Sequence, residues 1–318
     1  MTIAAFAIIP TDPIFGYMFA APPADLPPPM SDNFMQVGFA TTYITNNMGT
    51  LFFSLMYFPI MACVYLIIKP ITVKSIMKFR ITIGRRLFWS KTFQTFSNEY
   101  TIITTCSLIQ LANLDWSTNY GTKFCSFLGC FYTGITVALP FVVSYICWKN
   151  YDLIKSGDKD FKQRFGSMWF SLSTEDRAFI PYHWYFLIRR FMIGALCVFA
   201  RKTLFFQISG LVFNIIFATI IQGSTLCMED KRLNSIEYFN ESMIMMVMYC
   251  LICFTDFVPG ADTRSQIGYV CEGLVIFHIA FNLSFLFGDY ALQLKLRFKR
   301  WQMFRKYAKM RGEKNYKF

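Results

Sequence analysis

LFFQISGLVFNIIFATIIQ, residues 204–222, carries no charged side chain. An α-helix rises about 1.5 Å per residue and the hydrocarbon core of a bilayer is about 30 Å thick, so about 20 such residues cross it. Stretches of comparable length and character lie on both sides: Asn47 to Ile68, Thr95 to Leu114, Phe124 to Trp148, Pro181 to Ala200, Asn240 to Phe257 and Ile267 to Leu286. The expected fold class is therefore all-α, a polytopic membrane helix bundle of about seven transmembrane helices. Composition agrees, because 55% hydrophobic and 19% aromatic against 16% charged residues is too apolar for a pair of water-soluble domains.

Charge tests the number of crossings independently. Lys and Arg in short loops are retained on the cytoplasmic side. With residue 1 outside, seven crossings place all of the 31 Lys and Arg inside except Lys123, Arg201, Lys202 and Arg264. If Thr95 to Leu114 did not cross, the basic loops Lys69 to Lys91 and Lys149 to Arg177 would face opposite sides and the asymmetry would vanish. The formal charge of +12 thus reports orientation, and nucleic-acid binding is not expected. The chain divides into a Pro-rich extracytoplasmic flap, residues 1–46, a seven-span domain, 47–289, and a basic cytoplasmic tail, 290–318.

Two basic amphipathic helices are expected on the inner membrane surface. Val73, Ile76, Met77, Ile83 and Leu87 recur near helical period in the first inner loop, and Leu294, Phe298, Trp301, Phe304 and Ala308 mark one face of the tail. The lysines and arginines around them make anionic inner-leaflet lipids expected partners, beside the bilayer itself. Simple anchoring of topology is the plainer reading of the same charges.

Most of the cysteines fall inside apolar runs, where they act as small hydrophobes. Cys250 and Cys253 form a C-x-x-C at bilayer depth, so redox or metal chemistry is not expected of them. A bridge between Cys125 and Cys271, both near outer helix ends, is left open. No P-loop, H-E-x-x-H or G-x-S-x-G occurs, and His183 and His278 are the only histidines. No catalytic residue, metal site or cofactor is therefore expected. Asn240-Glu241-Ser242 matches a glycosylation sequon but falls inside, where it is not used.

Polar groups within spans are the candidate sites, since lipid cannot satisfy them. The second span carries Gln110 and Asn113, and the seventh carries Glu272, His278 and Asn282, the last two four residues apart on one face. Together they form either a candidate polar pathway or hydrogen-bonding glue between helices. Glu99, Arg189, Arg190 and Glu241 are expected at similar depth and form a candidate inner ion-pair cluster, acting as a fixed register or as a gate latch. Asp256 and Asp262 flank the Pro-Gly turn of an outer loop and form a candidate mouth.

The segments VGFATTYITNN (37–47), SNEYTIITTCSLIQL (97–111), RFGSMWFSL (164–172), YFLIRRFMIGAL (185–196), YFNES (238–242) and CFTDFVPGADTRSQIGY (253–269) follow one another in a spacing that covers most of the chain. In this the chain resembles the TRP-like multi-span membrane region of the large cysteine-rich surface proteins of ciliated protists, itself similar to a membrane domain of fungi. The resemblance implies a multi-helix module in the sphere of ion channels and membrane homeostasis. Gly223 to Ser235 lies inside and offers no filter-like loop, so a tetrameric pore of TRP type is not implied. The expected function is ion transport or a related role. Two alternatives stay open: a non-conducting structural or assembly subunit, partnered by other membrane proteins or by further copies of the chain, and a seven-span receptor. Plasma membrane and endomembrane are both compatible with this reading, and enzymatic activity is not expected.

Overall fold

A computed structural model describes residues 28–49, 62–70, 92–116, 119–169, 172–226, 228–255 and 257–310, with positions 51, 60 and 77. Among the described residues it is all-helical, with a lone antiparallel bridge between Leu172 and Met228. The helices are α1 Asp32–Gln36, α2 Ile44–Met48, α3 Thr92–Asn98, α4 Tyr100–Ala112, α5 Tyr120–Lys149, α6 Tyr151–Lys155, α7 Lys159–Phe165, α8 Phe179–Phe199, α9 Leu204–Thr225, α10 Lys231–Cys253 and α11 Ala261–Met310, with a 3-10 turn over Gly166–Trp169. The chain forms two compact units, one up to Glu241 and one from Ser242 onward, the boundary in the sequence falling inside the range of α10.

Among the described residues four helices are long and apolar enough to cross a membrane: α5, α9, α10 and α11. Phe127, Phe131, Phe141, Phe205, Phe213 and Phe217 stand exposed on α5 and α9, which suits lipid and not water. The expected second span is divided at Glu99 into α3 and α4. The expected fourth span forms α8, 21 residues long, whose arginines and His183 lower its hydropathy. Residues 52–59 of the expected first span, and nearly all of the amphipathic stretch 73–87, lie outside the described residues.

In the first unit α4 is the central helix. Tyr100, Ile103, Thr104, Thr105, Cys106, Ser107, Leu108, Ile109 and Gln110 are all buried, so apolar and polar faces alike are covered by α2, α5 and α8. A helix enclosed all round needs no amphipathic stripe. Two of its hydroxyls turn back to its own carbonyls, Thr105 to Thr101 at 2.9 Å and Ser107 to Thr104 at 2.9 Å. Small residues set its neighbours close. A Cβ on Gly129 of α5 would fall 2.5 Å from Cγ of Gln110, and one on Gly194 of α8 would fall 3.2 Å from Thr104 and Thr105. The end of the expected flap joins this core: Tyr43, Ile44 and Met48 pack with Ile103, Cys106, Cys125 and Tyr132.

Pro140 sits inside α5 and has no N–H to give to the carbonyl of Thr136, four residues back. The hydroxyl of Tyr100 donates to that carbonyl at 2.5 Å. A bond lost within one helix is thus replaced by a bond between two, and α4 is pinned to α5 at that level.

The segment after α5, expected as an inner loop, is a folded cap. Asp158 Oδ1 accepts from the N–H of Phe161 at 2.7 Å and starts α7. Phe161 stacks on Trp169, and Arg177 lies over the rings of Trp148 and Tyr151 at 5.4 and 4.8 Å. Tyr151, Ile154, Met168, Trp169 and Leu172 share one core with Tyr100, Val143, Phe179 and Leu187.

In the second unit α11 runs unbroken for 50 residues, about 75 Å at 1.5 Å per residue. The expected tail helix is therefore not a separate interfacial element; residues 290–310 continue the last apolar helix, because no proline or capping residue interrupts it. Cys125 and Cys271 are both free thiols, so the bridge left open by the sequence is absent. Cys125 instead lies 3.4 Å from the Thr45 hydroxyl.

Candidate functional site: the arginine pair of α8

Pro181 falls in the first turn of α8, where its missing N–H removes no helical bond, and the helix then runs to Ala200, whose N–H reaches Leu196 at 3.1 Å. Adjacent residues on a helix point about 100° apart. Arg189 and Arg190 therefore reach opposite neighbours.

Arg189 donates to the Glu241 carboxylate of α10, forming an ion pair whose side chains are 18% and 10% exposed. Its backbone carbonyl accepts from Nδ2 of Asn214 on α9 at 3.1 Å. Tyr185, one turn earlier, donates its hydroxyl to the Asn214 carbonyl at 2.5 Å. These contacts tie α8, α9 and α10 together through side chains whose polar atoms would otherwise be stranded among apolar surfaces.

Arg190 turns to α3. Its Nη1 donates to the carbonyl of Ser97 at 2.7 Å, and its guanidinium lies 4.1 Å from the ring centroid of Phe186. That carbonyl belongs to the last turn of α3, where a cation complements the exposed carbonyl dipoles. Glu99 and Glu237 both lie near enough to act on Arg190 electrostatically, and Glu237 acts on Arg189 as well. The structure thus brings Glu99, Arg189, Arg190 and Glu241 into one region of the first unit and adds Glu237, which the sequence reading passed over. The signal was present: Glu237 precedes Glu241 by one helical turn and shares its face.

The other candidate residues divide between the units. Gln110 is enclosed, its Oε1 accepting from the N–H of Ile44 at 3.0 Å and its Nε2 donating to the Asn113 carbonyl at 3.4 Å. Asn113 turns its own amide back to the Ile109 carbonyl at 2.8 Å and closes the end of α4. In the second unit Asn282 donates to the His278 carbonyl at 2.9 Å, both residues lying on the half-buried face of α11, whereas Glu272 is exposed. Asp262 stands exposed in the first turn of α11, where an acid suits the helix N-terminus. Asp256 lies outside the described residues. Among the described residues no cluster of His, Cys, Asp and Glu has the makings of a metal site.

Comparison with protein-family models, with curated proteins and with solved structures returned no match.

Proposed function

We propose that the chain is a TRP-like membrane module of the ion-transport class, crossing seven times with residue 1 outside and the basic end of α11 in the cytoplasm. The supporting observation is the pairing of Arg189 with Glu241 beside a second carboxylate, Glu237, one turn away on the same helix. An ion pair taken out of water is a weak source of stability, because desolvation offsets most of the attraction. Two carboxylates one turn apart give Arg189 two partners separated by about 5.4 Å along α10, the step by which helices ratchet between discrete states. In this reading the arginine pair is the latch of a gate. Arg190, held to Ser97, carries the change to α3, which precedes the buried helix α4.

Proteoliposomes containing the full chain are expected to pass potassium or calcium faster than empty liposomes. Glu237→Gln removes the alternative partner and is expected to change that flux severalfold while the protein stays folded. Flux equal to that of empty liposomes would refute the transport reading. A non-conducting assembly subunit is then the better account, and the satisfied amides of Gln110 and Asn113 favour it, since they act as glue and line no path through α4. The exposed Lys295, Arg297, Lys299 and Arg300 of α11 suit anionic lipid headgroups under either reading.

A further inference from the structure

Beyond the apolar half of α11, every side chain from 290 to 305 is exposed. Large apolar groups stand among them, and at about 100° per residue they fall on two sides of the helix. Leu294, Phe298, Trp301 and Phe304 share one side, and Leu292, Leu296 and Met303 share the opposite one. The basic side chains are no more confined. Lys295 lies between the two apolar sides on one flank and Arg300 on the other, while Arg297 and Arg305 flank Trp301. Phe298 and Trp301 stack with ring centroids 5.6 Å apart, and the Arg305 guanidinium lies 4.5 Å from the Trp301 centroid. An ordered aromatic anchor is therefore present before any partner arrives.

Three covers for this surface fail on physical grounds. Hydrocarbon does not solvate the charges. A bilayer surface covers one side of a helix, and interfacial helices accordingly keep apolar and charged residues on opposite faces, which this one does not. Headgroups meet some of the charges and leave the far apolar side bare. A second copy of the tail brings like charges together, because no acidic side chain stands between Asp289 and Glu313. The cover that fits surrounds the helix, apolar within and acidic at its rim. Groove proteins that take up a basic amphipathic helix have that chemistry, and residues 290–310 offer one about 31 Å of formed helix at 1.5 Å per residue.

We propose that residues 290–305 of α11 are the docking site of an acidic protein whose apolar groove wraps the helix, with Trp301 the anchor on one side and Leu296 on the other. Conduction is not required. Only the side of the membrane on which the partner waits rests on the orientation proposed above.

The test is saturable binding of calcium-loaded calmodulin to the full chain in phosphatidylcholine nanodiscs, both faces of which meet water whichever way the chain inserts. Calmodulin is a suitable probe because it accepts many unrelated helices and opens its Met-rich groove only with calcium. Binding is expected, and chelating the calcium should weaken it at least about tenfold. Parvalbumin, a calcium buffer of the same fold type whose helix pairs barely open, should not bind. Trp301→Ala and Leu296→Gln, one on each side, should each weaken calmodulin about tenfold, as loss of a buried anchor does. Both side chains are exposed in the free chain, so neither change disturbs its folding. No saturable binding, equal binding of parvalbumin, or full binding by either variant would overturn the proposal. So would loss of binding when phosphatidylserine is added to the nanodisc, which would assign the tail to anionic lipid instead.

Discussion

Replacing Tyr100 with Phe removes one hydroxyl and leaves the carbonyl of Thr136 without a donor, because Pro140 has none to offer. Both residues are 0% exposed, so no water takes the place of the lost bond. The expected cost is about 1–3 kcal/mol, the price of an unsatisfied buried acceptor. Pro140→Ala restores the N–H four residues after Thr136 and lets α5 supply the missing bond itself. In that background Tyr100→Phe should cost less than about 1 kcal/mol. The two substitutions should therefore be coupled by about 1–2 kcal/mol, within the range found for residues sharing one partner. Reversible unfolding of the full chain in mixed detergent micelles, followed by far-ultraviolet circular dichroism, measures all four corners of the cycle. Equal costs of Tyr100→Phe in the two backgrounds would refute the argument that the tyrosine serves the carbonyl freed by the proline.

The glycines of α5 offer a paired experiment. Gly129→Ala forces its Cβ to 2.5 Å from Gln110 and is expected to destabilise by about 1–3 kcal/mol, whereas Gly134→Ala meets nothing within 4 Å and is expected to be neutral or to stabilise by up to about 1 kcal/mol; the same micelle unfolding reads both. Arg189→Gln strands Glu241 and should cost about 3–5 kcal/mol, while the exchanged pair Arg189→Glu with Glu241→Arg should recover part of it; an exchange no better than the single change would show that the pairing itself contributes nothing.

The apolar runs were legible because lipid imposes one simple rule on length and hydropathy, and α5, α9, α10 and α11 obey it. The polarity of 95–114 was legible as a warning, and its resolution is the enclosure of α4. What could not be read is whatever depends on a distant partner. Nothing near Pro140 signals that its missing bond is replaced from Tyr100, and nothing near Gln110 signals that Ile44 supplies its donor. The cap after α5 escaped for a different reason: its lysines and aspartates read as loop, while Phe161, Phe165 and Trp169, spaced at four residues, carried the helical period that buries them. The change of composition near residue 290 marked a tail, but helix geometry is indifferent to a switch from apolar to basic side chains, and α11 continues through it.

That continuity makes α11 a lever. A helix about 75 Å long, with no proline to absorb bending, transmits tilt along its whole length. A tilt of about 10° about its first residues displaces its far end by about 13 Å, given a rise of 1.5 Å per residue. Small rotations in the apolar half thus become large excursions of a cluster of positive charge.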